Sequence, residues 1–132
     1  MLKHMLDTKI AIYVIKRRPI EIMPTFGAHA GQLCLSTITL AELLHGVEKS
    51  TRPEQNRQAL EDFVSRLEVL EYGAKAAGHY GDIRADLERE GKVIGVNDLH
   101  IAGHARSEGL VLVTNNLGEF ERVKGLRTEN WV

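Results

Sequence analysis

The chain has 132 residues, 43% hydrophobic and 27% charged, with 17 Lys and Arg against 18 Asp and Glu. That length suits one domain spanning residues 1–132 and argues against two independent cores, and the composition argues against disorder. A formal net charge of −1 argues against a polybasic, histone-like binder, so any positive surface offered to a polyanion has to be local.

Read in chain order, short apolar runs alternate with amphipathic stretches. Leu2–Leu6 reads as a short buried strand ending at Asp7. Thr8–Arg18 follows as a helix, with Ile10 and Val14, and Ala11 and Ile15, on one face at i, i+4 spacing. Leu33–Leu35 reads as a second strand and Thr39–Lys49 as a helix that Thr39 is placed to cap. Pro53–Leu67 is a charged amphipathic helix with proline at its start, where a missing N–H costs little. Val69–Tyr72 is a third strand, Ala74–Glu90 a helix closed by Gly91, and Asn97–Ser107 a helix closed by Gly109. Leu110–Val113 is a fully apolar strand, and Leu126–Trp131 holds a last edge strand. The stretch Ile20–Gln32, with Pro24 and Gly27, has no assigned element.

Strands separated by helices require crossover connections. The expectation is an α/β fold with a mostly parallel central sheet and helices on both faces. Cys34 is the only cysteine, so no intrachain disulfide forms, which fits a reducing cytoplasm. It lies in a buried strand as a small hydrophobe. No apolar run of about 18 residues spans a membrane, and Asp7 and Lys9 interrupt any signal-peptide core.

Ligands of an open parallel sheet bind beyond the carboxyl ends of its strands. Asp7 follows the first strand. Glu42 lies early in the helix after the second. Asp98 opens the helix that leads to the strand Leu110–Val113, and Thr114, Asn115 and Asn116 follow that strand. Asp7, Glu42 and Asp98 would converge there with Asn116 beside them. Carboxylates gathered in one cleft repel unless a cation sits between them. A hard divalent ion such as Mg²⁺ does this, and the same ion serves phosphodiester hydrolysis. Each residue also has a plainer role. Asp7 can cap a helix, Glu42 stands three residues after Thr39 as in a capping box, Asp98 suits a helix start, and Asn116 suits a turn.

Four segments carry a resemblance: Met5-Leu6-Asp7-Thr8, Ser36 to Leu43, Gly95-Val96-Asn97-Asp98 with Ile101-Ala102, and Val113 to Asn116 through Glu119-Phe120. In that order the chain resembles the PIN-domain ribonucleases, and more narrowly the VapC toxins of VapBC toxin–antitoxin pairs. The resemblance extends over essentially the whole chain, to Gly125-Leu126-Arg127 and Trp131. It implies a PIN fold with a metal site made by Asp7, Glu42 and Asp98 and completed around Asn116. It further implies Mg²⁺ or Mn²⁺, RNA as substrate, a homodimer, and a VapB-type antitoxin that inserts a segment into the site. The toxins most resembled cut the anticodon region of initiator tRNA and so stop translation.

Two positions depart from the family. Many PIN domains carry Asp where Asn116 stands, and Glu119 is near enough in sequence to supply that carboxylate. The family usually reads Asp-Thr-Asn where this chain reads Asp7-Thr8-Lys9. Lys9 could pair with an active-site carboxylate and compete with metal, contact RNA phosphate, or simply be solvated.

Residues 1–18 hold Lys3, Lys9, Lys16, Arg17 and Arg18 against Asp7 alone, a net of +4. The cluster Lys16-Arg17-Arg18 either holds RNA phosphates or suits a helix C-terminus. His100 and His104, spaced i, i+4, offer two zinc ligands without a third, or are ordinary hydrogen-bonded or solvated histidines. His4, His29, His45 and His79 show no mutual pattern, and Trp131 reads as a cover for the core.

Two other function classes stay open at this stage. One is a flavodoxin-like phosphoacceptor module, although Gly73-Ala74 stands where its acceptor Asp belongs. The other is a PIN-like binding protein weakened in catalysis by Lys9 and Asn116.

Overall fold

The computed structural model describes residues 1–132. In chain order the elements are β1 (His4–Leu6), α1 (Thr8–Lys16), α2 (Ile22–Ala28), β2 (Leu33–Ser36), α3 (Thr37–Glu48) and α4 (Pro53–Val64). They continue with β3 (Glu68–Leu70), α5 (Ala74–Glu90), α6 (Val96–Ser107), β4 (Val111–Val113), α7 (Leu117–Phe120) and β5 (Thr128–Glu129).

All five strands pair in parallel, in the order β3-β2-β1-β4-β5. A flavodoxin-like sheet runs 2-1-3-4-5, with β3 beside β1. Here β3 is an edge strand and β4 takes the place beside β1, which removes the phosphoacceptor alternative.

The period-two alternation of the central strands sorts side chains onto two cores. Met5, Cys34 and Leu112 face one core with Ile83 and Leu87 of α5 and Leu99, Ala102 and Ala105 of α6. Leu6, Leu33, Leu35 and Val113 face the other, with Ile10 and Val14 of α1, Leu43 of α3 and Leu60 and Phe63 of α4. Helices therefore cover both faces, as the strand–helix alternation requires. Gly103 lets α6 approach α5, because a Cβ there would lie 2.9 Å from the Tyr80 backbone nitrogen. Cys34 is fully buried, and burial first of all pushes its thiol up to about 12, so it behaves as a small hydrophobe.

Several boundaries differ from expectation for physical reasons. Thr39 does not cap α3. The helix starts two residues earlier, where Ser36 leaves the strand and its Oγ accepts from the Ile38 N–H at 3.1 Å, while Thr39 is fully buried. The capping-box role for Glu42 falls with it. Helix α1 ends at Lys16, because Arg17 turns into the left-handed region at φ 55°. The unassigned stretch contains α2. Pro24 is its third residue, where the backbone N–H lacks an intrahelical acceptor in any case. Ile22 and Phe26, at i, i+4, pin α2 to the core, and Phe26 stacks on Phe63 at 5.9 Å. The four-residue α7 was also not expected, and β3 and β5 are shorter than the apolar runs that suggested them. No helix is long and apolar enough to cross a membrane.

Candidate active site

The chain runs outward from β1 to β2 and β3, then returns to the other side of β1 as β4 and β5. The switch point lies between β1 and β4, and the crevice beyond their carboxyl ends is where such sheets bind ligands. Asp7 follows β1 and Thr114 follows β4. The Asp7 N–H donates to the Val113 carbonyl at 3.0 Å, and the Thr114 N–H to the Glu129 carbonyl at 2.9 Å.

Asp7 caps a helix, as one of its two expected roles requires, and stands at the sheet edge where the other role would place it. Its Oδ1 accepts from the Ile10 N–H at 2.8 Å and so caps α1, yet the residue is 94% buried at the sheet edge. Burial pushes its carboxyl up. The Thr114 hydroxyl, the Ile10 N–H and the charge of Lys9 pull it down, and Glu42 pushes it up again.

Glu42 is held on both oxygens. Thr8 Oγ1 donates to Oε1 at 2.6 Å and Asn97 Nδ2 to Oε2 at 3.2 Å. Neither Thr8 nor Asn97 was singled out from sequence. The available signal was adjacency, since each directly neighbours an acidic candidate.

Asp98 sits in the first turn of α6, and its carboxyl is pushed up to about 6. The largest cause is burial. Glu119, Asp7 and Glu42 then add to it through their charges, and Glu119 also shares a hydrogen bond with Asp98. Four carboxylates from α1's cap, α3, α6 and α7 thus act on one another at the C-terminal edge of the sheet.

Asn116 is not joined to that group through its side chain. It is exposed at the start of α7, and its backbone N–H is the engaged group, donating to Thr114 Oγ1 at 2.9 Å. Its neighbour Asn115 points elsewhere, to the Tyr13 hydroxyl at 3.2 Å. Glu119, suggested as the substitute carboxylate, is the residue from this segment that reaches Asp98.

Among the basic candidates, Lys9, Lys16, Arg17 and Arg18 are all exposed and none forms an ion pair. Lys9 pairing with a catalytic carboxylate is therefore not realised. Lys16 and Glu42 line one groove of about 300 Å³ with Ile12, Ile15, Leu43 and Leu60. That groove joins the acidic crevice to the basic end of α1.

The donor set fits a hard divalent cation, since every candidate ligand is a carboxylate oxygen and their mutual repulsion is unrelieved by any paired cation. The quartet is an open arrangement. The three residues whose ligand atoms all lie within 4.8 Å of one another are His4, His29 and Glu129, at a different place. An open set suits an ion that keeps several of its own waters. His100 and His104 do not form a metal pair. Their Nδ1 atoms meet the Tyr72 hydroxyl and Ser36 Oγ, both at 2.8 Å, and His104 is buried.

The PIN-domain family model matches residues 4–126. Over all 132 residues of both chains, the sequence is 63% identical to "Ribonuclease VapC2" of Haemophilus influenzae. It is 55% identical to the "tRNA(fMet)-specific endonuclease VapC" of Shigella flexneri over 131 residues, 99% of each. A chain in the crystal structure of DNA-bound VapBC from Salmonella typhimurium superposes with a TM-score of 0.96 at 53% identity, with both chains fully covered. This chain belongs to the PIN-domain family and, within it, to the VapC ribonucleases. PIN nucleases in general depend on a divalent metal.

Proposed function

We propose that this protein cuts initiator tRNA in its anticodon region with Mg²⁺ or Mn²⁺ held by Asp7, Glu42 and Asp98, assisted by Glu119. The observation that carries the reading is the gathering of these four carboxylates beyond the β1–β4 switch point, where burial first and then Glu119, Asp7 and Glu42 push the Asp98 carboxyl up. The tRNA class rests on the Shigella flexneri relative. When bound, the ion polarises phosphate oxygens, lowers the pKa of water and stabilises charge on a leaving oxygen.

The chain's own residues prepare that site. The Ile10 N–H fixes one Asp7 oxygen, and the Thr114 hydroxyl also bonds the carboxylate. Thr8 and Asn97 lock the Glu42 rotamer, which removes an entropic cost from metal binding. Lys16, Arg17 and Arg18 hold substrate phosphates along the groove, with Thr114 at the crevice floor. The products are a 3′-hydroxyl and a 5′-phosphate.

The VapBC complexes of Salmonella typhimurium and Rickettsia felis support a VapB-type antitoxin as partner. The apolar groove ending at Glu42 suits an inserted antitoxin segment. A homodimer and a cytoplasmic location belong to the same reading.

Purified protein incubated with total tRNA should cleave it with Mg²⁺ and not with EDTA, and Asp7→Asn protein should be inactive in both. Cleavage by pure Asp7→Asn protein would refute the site. Absence of cleavage by the wild type would favour the weakened binding protein instead.

A further inference from the structure

A second set of ligating side chains lies at the opposite end of β1. His4, His29 and Glu129 come from β1, the end of α2 and β5. Their ligand atoms lie within 4.8 Å of one another. His4 and Glu129 are 125 residues apart, and His4 Nε2 lies 3.3 Å from Glu129 Oε2.

The chemistry of each member suits an ion. His29 Nδ1 meets the Thr25 carbonyl at 2.8 Å. A carbonyl only accepts, so Nδ1 carries a proton, and in the neutral ring Nε2 then holds the lone pair, the form in which imidazoles bind metal. His4 is 92% buried, and its Nδ1 is the one buried side-chain nitrogen or oxygen with no hydrogen-bond partner. The nitrogen that faces Glu129 is the other one, Nε2, and that atom is the one available to an ion. Glu129 brings a negative charge, and its side chain is 45% exposed, so the cluster opens to solvent.

We propose that His4, His29 and Glu129 form a binding site for a borderline transition-metal ion, zinc in class, that clips β5 and α2 to β1. Two neutral imidazoles and one carboxylate suit Zn²⁺ and Ni²⁺ and disfavour Mg²⁺, with water as the remaining ligand. Side-chain rotations of roughly 1 Å bring such atoms to the 2.0–2.2 Å distances of zinc ligands. The clip acts where the fold needs one, because β5 is only two residues long and sits at the sheet edge.

Trp131 supplies the readout. It is the only tryptophan, it stacks on His29 at 4.7 Å, and its indole N–H donates to Glu129 Oε1 at 2.8 Å. Titrating untagged protein with Zn²⁺ should change Trp131 emission saturably at one ion per chain and raise the melting temperature, while Mg²⁺ changes neither the emission nor its response to Zn²⁺. His29→Ala and Glu129→Gln, both away from the core, should each weaken Zn²⁺ binding at least about tenfold with unchanged circular dichroism. Asp7→Asn should leave Zn²⁺ affinity within about twofold of wild type. The site is refuted if wild type gives no saturable response, if His29→Ala and Glu129→Gln bind as wild type does, or if Asp7→Asn removes the response.

Discussion

The two ends of β1 gather opposite kinds of chemistry three residues apart. At the carboxyl end, Asp7 meets other carboxylates, and burial followed by their repulsion pushes the Asp98 carboxyl up to about 6. At the amino end, His4 meets an imidazole, an indole and one carboxylate, and the cluster is closed by aromatic contacts of 4.7 and 5.6 Å. The first arrangement is electrostatically strained until a hard cation arrives. The second is packed through aromatic contacts and has nitrogen donors to offer an ion. Ligand hardness and local charge, more than proximity, separate what each end can bind.

The comparison is broken most sharply at Asp7. Asp7→Asn should lower RNA cleavage by more than about 100-fold, measured by single-turnover kinetics, because a direct ligand matters more than its supports. If cleavage survives, the acidic end is not the catalytic one. Thr8→Val removes the 2.6 Å bond that aims Glu42. It should weaken Mn²⁺ binding by about 10–100-fold in calorimetry and leave the Trp131 emission unchanged.

Neutralising Lys16, Arg17 and Arg18 together should weaken tRNA binding roughly tenfold and reduce the salt slope by about 2. An unchanged slope would remove them from the RNA path.

Asp98 gives a pH test of the strain at the acidic end. Its folded value of about 6 lies above the ordinary 3.8, so protonation favours the folded state. That stability is fully present below 3.8 and is lost as pH rises through about 6. In EDTA, the stability of wild type relative to Asp98→Asn should therefore fall by about 1 kcal/mol as pH rises over this interval, after allowance for partial exposure. Denaturant titrations at several pH values measure it, and a flat difference would mean that neither burial nor the neighbouring carboxylates disfavour the charged form of Asp98. The smallest effect belongs to Lys9. It is exposed and unpaired, so Lys9→Asn should tighten Mn²⁺ binding only about two- to threefold by removing a screened positive charge.

Much of this architecture was legible in sequence because local patterns encode it. The seventeen-residue helix α5 and its Gly91 stop were read at their true limits, since a long amphipathic period and a left-handed glycine are both local. Asp7 and Asp98 could be picked out as candidates because one follows a strand and the other opens a helix, whereas Glu42 lies in the second turn of α3. The start of α3 was misread because Ser36 and Thr39 are both good capping types, and only the end of β2 selects Ser36. Short α7 and proline-bearing α2 lack enough length to show a period. The bonds from Thr8 and Asn97 to Glu42, and the meeting of His4, His29 and Glu129, join residues 25 to 125 positions apart and leave no local trace.

By itself, the sequence determined the order of the strands and of every helix but α2 and α7, the near-neutral charge with a net positive first segment, and the kinds of donor available. The tertiary structure decided which donors meet. It joined Glu119 rather than the Asn116 side chain to Asp98, left Lys9 in solvent, and brought His4 to Glu129 across the sheet. The reason is that acidity and ligation depend on burial and through-space distance, and a parallel sheet sets both by strand order, which crossovers hide from any local pattern.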